Sequence, residues 1–148
     1  MKNLLILAFA ACLIAACQKP TVNVNNESMV DSLILAWNNA WNNHDSLAIE
    51  NMFEPTGVLI DGDSITRNTA ELSKLVRSGI NTINNLKTEP LQKWATADRA
   101  GLAGLWELDA IANDSVIAHP KGAFTFNWRK TENGDWKLTN ADIHSFSK

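Results

Sequence analysis

The sequence predicts an α+β domain in which helices come first and long antiparallel strands follow. Three observations carry this. Apolar residues recur at helical spacing early in the chain, at Val30, Leu33, Ile34, Trp37 and Trp41, and again at Leu72, Leu75, Val76 and Ile80. Beyond residue 82 the character changes to long segments separated by turn signals. One of them, Ala123 to Lys130, alternates with period two: Phe124, Phe126 and Trp128 on one face, Thr125, Asn127 and Arg129 on the other. Helices followed by strands place the helices against one face of a single sheet.

The elements follow in order. Ser28, three residues before Asp31, resembles a capping box and opens the first helix. Its inward stripe ends in "AWNNAWNNHD", with Asn38, Asn39, Asn42 and Asn43 mostly on the other side. Asp45 caps a second, short helix through Leu47, Ile49, Met52 and Phe53, and Pro55 and Gly57 break it. Val58 to Asp61 reads as a short strand and "DGDS" as a turn. Asn68-Thr69-Ala70-Glu71 starts a third helix that Gly79 weakens or ends. Strands then run from Asn84 to Ala97, Gly101 to Ala112, Ala123 to Lys130 and Trp136 to about Phe146. Pro90 marks the first of these as an edge or a bulge, and "ENGD" is a hairpin turn.

The N-terminus reads as a targeting segment. Met1-Lys2-Asn3 is a basic start, and Leu4 to Ala16 is an apolar run too short to span a bilayer, which takes about 20 residues. Ile14-Ala15-Ala16-Cys17 resembles the lipobox of bacterial lipoproteins, in which the cysteine becomes the acylated first residue. The resemblance implies a signal peptide over 1–16, a lipidated Cys17 with a flexible tether over 17–27, and one domain over 28–148. It also implies membrane attachment in the cell envelope, with the inner or outer membrane left open. No acidic cluster follows Cys17, which favours a domain facing the periplasm.

Composition then excludes several classes. Cys12 leaves with the signal and Cys17 carries lipid, so no thiol remains for a disulfide, a nucleophile or a soft metal. Removal of the leader leaves 132 residues, one domain's worth, with 12 basic and 16 acidic side chains and a formal charge of −4. That balance offers no phosphate-binding stripe, so nucleic acid is not an expected partner. His44, His119 and His144 have no ligand spacing, and no P-loop, G-x-S-x-G or G-x-G-x-x-G occurs. No metal or cofactor is expected.

From Ser28 on, the order of elements resembles the NTF2-like (SnoaL-like) superfamily, and the ending "GAFTFNWRKTENGDWKLTNADIHSFS" is similar to that of its small stand-alone, DUF4440-type members. Gly122, Trp128, Gly134, Trp136, His144 and Ser145 carry the match. The resemblance implies a cone: about three N-terminal helices on the concave face of a curved, mostly antiparallel sheet, often with an open cavity and often as a homodimer.

Six tryptophans and no tyrosine suit an apolar chamber. As plain core, each covered indole would contribute about 3 kcal/mol through burial. If the cone is hollow, Trp37, Trp41, Trp94, Trp106, Phe126 and Trp128 become the wall of a pocket for a small apolar or aromatic molecule. Such a binding module, anchored in the envelope, is the expected function. A cyclase, isomerase or dehydratase is the alternative, with Asp61 or His144 as general base. A homodimerising interaction domain with an incidental cavity is the third. Asp61 also reads as part of a solvated turn. His144 would share a face with Trp136 and Leu138 unless a bulge intervenes, and Glu107 and Asp109 belong to the outer sheet surface or an oligomer contact.

Overall fold

The computed structural model describes residues 27–146. The expected signal peptide, Cys17 and all of the expected tether except Glu27, which opens the first helix, lie outside the described residues. Among the described residues no helix is long and apolar enough to cross a membrane.

Helix α1 (Glu27–Asn42) buries Val30, Ile34, Trp37, Ala40 and Trp41, the stripe that the spacing predicts. Helix α2 (Ser46–Met52) starts at Asp45, whose carboxylate accepts from Ala48 N at 2.9 Å. Helix α3 (Thr69–Gly79) starts at Asn68, whose side chain accepts from Glu71 N at 3.0 Å. Glu71 reaches back to accept from Arg67 N at 2.7 Å, so two otherwise unpaired amides near the helix start are satisfied. A short 3-10 turn, Ile80–Thr82, leads into the sheet.

The strands are β1 (Phe53–Asp61), β2 (Ser64–Ile65), β3 (Ile83–Ala95), β4 (Arg99–Ala112), β5 (Ser115–Ala118), β6 (Lys121–Lys130) and β7 (Trp136–Ser145). They form one sheet in the order β2-β1-β7-β6-β4-β3, with β5 pairing β4. All pairs are antiparallel except β1–β7, which is parallel. The sheet curls strongly, and the three helices pack in its hollow.

Three strands differ from the sequence reading, and β2 is one of them, pairing Ile65 with Ile60 just past the expected turn. β1 starts five residues earlier than Val58 and runs through Pro55 and Gly57. α2 ends at Met52, before either residue, and the backbone is already extended at Phe53. A side chain at Gly57 would meet Leu138 O at 2.7 Å, so only glycine lets β7 come this close. β5 is a short hairpin partner of β4, turned by Asn113 (φ 49°) and Asp114 (φ 58°). Two successive positive φ values from an Asn-Asp pair make the tight turn that matches strand twist. Pro90 falls in the edge strand β3, where the register with β4 shifts between Pro90 and Gln92.

The core sits at one end of the cone. Phe126, Leu102, Leu138, Val30 and Ile49 are fully buried there, and Trp128 is sealed with them. Trp37 joins helix to sheet, its ring centroid 4.8 Å from Phe126 and 6.2 Å from Phe53. Edge-to-face contacts of this kind add to burial.

Candidate functional site

At the other end the helices and the sheet do not meet. A cavity of about 520 Å³ opens between them, bounded by α1, α3, β3, β4, β6, β7 and the end of β1. That volume falls within the range of small-molecule sites, about 300–1,000 Å³.

Three local features hold the space open. The first is how α1 is attached. Asn42 donates from Nδ2 to Leu86 O at 2.9 Å and accepts from Leu86 N at 2.7 Å, and Asn38 Nδ2 donates to Thr88 Oγ1 at 2.8 Å. Asn42 thus supplies both halves of a missing ladder rung where β3 bulges between Asn84 and Lys87. The side-chain amides fix the helix to the sheet edge, so its rings border the hollow instead of filling it. His44 extends the same seam, its Nε2 lying 3.1 Å from Ile83 O and 2.9 Å from Asn84 Oδ1.

The second feature is the seat of Trp106. A Cβ at Gly122 would lie 2.5 Å from this indole, so the ring rests on bare backbone across the strand pair Trp106–Gly122. Its Nε1 donates to Ala123 O at 3.2 Å. The ring is held down on the sheet and leaves the space in front of it empty. Third, Trp41 tilts against Trp37, with centroids 5.8 Å apart. Its Nε1 is sealed from solvent and finds no acceptor, a cost of about 1–3 kcal/mol.

The cavity brings together four of the six expected wall residues: Trp37, Trp41, Trp106 and Phe126. It does not include Trp94 or Trp128. Trp94 pairs with Gly101 and lies over it on the convex face, where it is 40 % exposed. Strand parity decides this, because Leu102 and Ala100, not Gly101, face inward with Phe126 and Trp128. Trp128 does point inward, but it is buried at the closed end, edge-on to Phe126 at 5.8 Å.

Sequence reasoning missed the α3 side of the wall, Leu75, Ser78 and Thr82, and missed Ile117 of β5. The available signal on α3 was the place of Leu75 in the helical stripe with Leu72 and Val76.

The two candidate bases part company. Asp61 ends β1 opposite Ile143 of β7, on the same inward side as Leu59, and it lines the cavity at a solvent-exposed position. The strand end is fastened by Gly62 N donating to Ile143 O at 3.1 Å. His144 lies on the convex face opposite Ala123, with Nε2 2.7 Å from Asp142 Oδ1 and its side chain 60 % exposed. The register between β6 and β7 slips between Asn127 and Trp128, so Leu138 faces inward, and beyond the slip Ala141 and Ile143 do. The bulge reverses parity, and His144 leaves the face of Trp136 and Leu138.

The convex face is charged and internally paired. Glu107 is held below the usual carboxylate range, chiefly by its hydrogen bond from Lys121 and then by Lys87. Asp109 is likewise depressed, first by Asn85 Nδ2 and then by His119. Among the described residues no three His, Cys, Asp or Glu side chains gather at metal-binding distances.

Comparison with solved structures places this geometry. A ketosteroid isomerase-like protein from Erwinia carotovora atroseptica superposes with a TM-score of 0.73 over 85 % of this chain and 100 % of that one, at 20 % identity. The fold is the NTF2-like cone. An NTF2-like superfamily protein from Salmonella enterica serovar Typhimurium gives 0.72 at 15 % identity, covering 84 % of this chain and 93 % of its own. An NTF2-like protein of unknown function from Pseudomonas putida gives 0.70 at 16 % identity, covering 86 % and 91 %. No family model matches the sequence, and no curated protein does. At these identities the likeness concerns the cone itself, and function rests on the site.

Proposed function

We propose that this chain is a lipid-anchored cell-envelope protein whose NTF2-like cone binds a small, largely apolar molecule without transforming it. The observation that carries this is the open end of the cone: a cavity of about 520 Å³ whose wall includes Trp37, Trp41, Trp106, Phe124 and Phe126. Rings fastened by Asn42 and Gly122 are pre-organised, so a guest gains contact without ordering them first. The anchor through Cys17 and the periplasmic orientation rest on the leader sequence.

Asp61 favours a second reading, an isomerase- or cyclase-type enzyme with this carboxylate as general base, because it lines the cavity. The binding reading is preferred on physical grounds. A carboxylate base gains strength from desolvation, and Asp61 stays in contact with solvent. His144 faces away and supplies no partner base.

Native mass spectrometry of the protein purified from its own host tests the proposal. A retained small molecule is expected, and it should be lost from a cavity-filling Ala110→Phe variant that still folds. Absence of any retained mass, together with unchanged tryptophan emission across a panel of apolar and aromatic compounds, would overturn it.

A further inference from the structure

We infer that the cavity selects hydrophobic amines: an apolar body lies among the indoles and a protonated nitrogen sits at the mouth beside Asp61. This rests on the binding reading above and adds the chemical class of guest.

The wall carries one ionised group. Among its lining residues Asp61 is acidic, and none is lysine, arginine or histidine. The Asp61 side chain has no hydrogen bond or ion pair among the described residues, while its backbone stays in the ladder. Elsewhere Glu50 is paired with Arg77, Glu54 with Arg129, Glu107 with Lys121 and Asp31 with Lys93, and what sets Asp61 apart is its place on the cavity wall. A fixed strand end thus presents an unpartnered negative charge at the entrance of an aromatic chamber. Its inward orientation follows from strand parity with Leu59 and from the register with Ile143.

Each guest class meets this arrangement differently. An anion would be repelled by Asp61 and find no cation to replace its hydration. A neutral apolar guest would fill the chamber but leave the carboxylate to water. An organic cation fills the aromatic chamber with its apolar body and pairs its charge with the carboxylate at the mouth. Aromatic walls and a single acidic group are the combination that distinguishes an amine from its neutral isostere.

Isothermal titration with three probes of one shape tests this: naphthylethylamine, naphthaleneethanol and naphthylacetate. The amine should bind about fivefold or more tighter than the alcohol, a difference suited to a solvent-accessible ion pair, and the carboxylate should bind most weakly. Asp61→Asn should bring amine and alcohol within about twofold of each other, chiefly by weakening the amine. Trp41→Ala should weaken all three, which places them in the cavity. Equal affinity of amine and alcohol for the native chain, or a preference that survives Asp61→Asn or is unaltered by Trp41→Ala, overturns the amine assignment while cavity binding stands. Failure of all three probes to bind overturns both readings.

Discussion

The two ends of the cone are built from the same kinds of residue and behave differently. At the closed end Trp128 and Leu138 pack together with less than a twentieth of each residue exposed. At the open end Trp41 and Trp106 are almost as deeply covered, yet they border an empty volume. The difference lies in what stands opposite each ring. Trp128 meets other core side chains, whereas Trp106 is laid across Gly122 and Trp41 rides on a helix fastened at the sheet edge by asparagine amides. Burial of an indole therefore does not tell core from wall. The partner across the gap does.

The largest break in this comparison should come from truncation at the closed end. Leu138→Ala is expected to cost about 2–5 kcal/mol in chemical denaturation, because its neighbours cannot collapse into the space. Leu108→Ala, half-buried on the cavity wall, should cost about 1 kcal/mol or less, since the removed atoms already face a void. Equal losses would mean that the open end is packed in solution, and the distinction would fall.

The fastening can be tested next. Asn42→Ala leaves the Leu86 amide and carbonyl without partners and should cost about 1–3 kcal/mol, read as a shifted denaturation midpoint. Asn39→Ala, one turn back and exposed, should stay within about 0.5 kcal/mol. Similar values for the two would remove the special role given to the seam.

The smallest expected effects are electrostatic. Glu50 is held below its ordinary value, mainly by the hydrogen bond from Arg77. A carboxyl lowered on folding contributes stability above its unfolded value and loses it as pH falls through the folded one. Stability should therefore decline as the pH drops below the ordinary glutamate range. Arg77→Ala should flatten that decline only slightly, since the guanidinium is exposed. A decline of equal steepness in the variant would assign it to other carboxylates. Asp61→Asn should leave the unfolding free energy within about 0.5 kcal/mol, which keeps its binding test free of folding effects.

Much of this was written locally in the chain. The helical stripe through Trp37 and Trp41, the caps at Asp45 and Asn68, the alternation of Phe124, Phe126 and Trp128, and the glycine turn before Trp136 depend on neighbours a few residues away. Such short-range preferences are legible because backbone geometry repeats at fixed periods. Tertiary structure alone decided which rings are wall. A single slip between Asn127 and Trp128 turned His144 outward, and the pairing of Trp94 with Gly101 put that indole on the convex face. One residue of register reverses every side chain beyond it, and register is settled between strands distant in sequence. The sequence by itself determined helices followed by long strands in a domain rich in indoles. Long-range pairing decided that the cone stays hollow at one end, and that one unpaired carboxylate stands at its mouth.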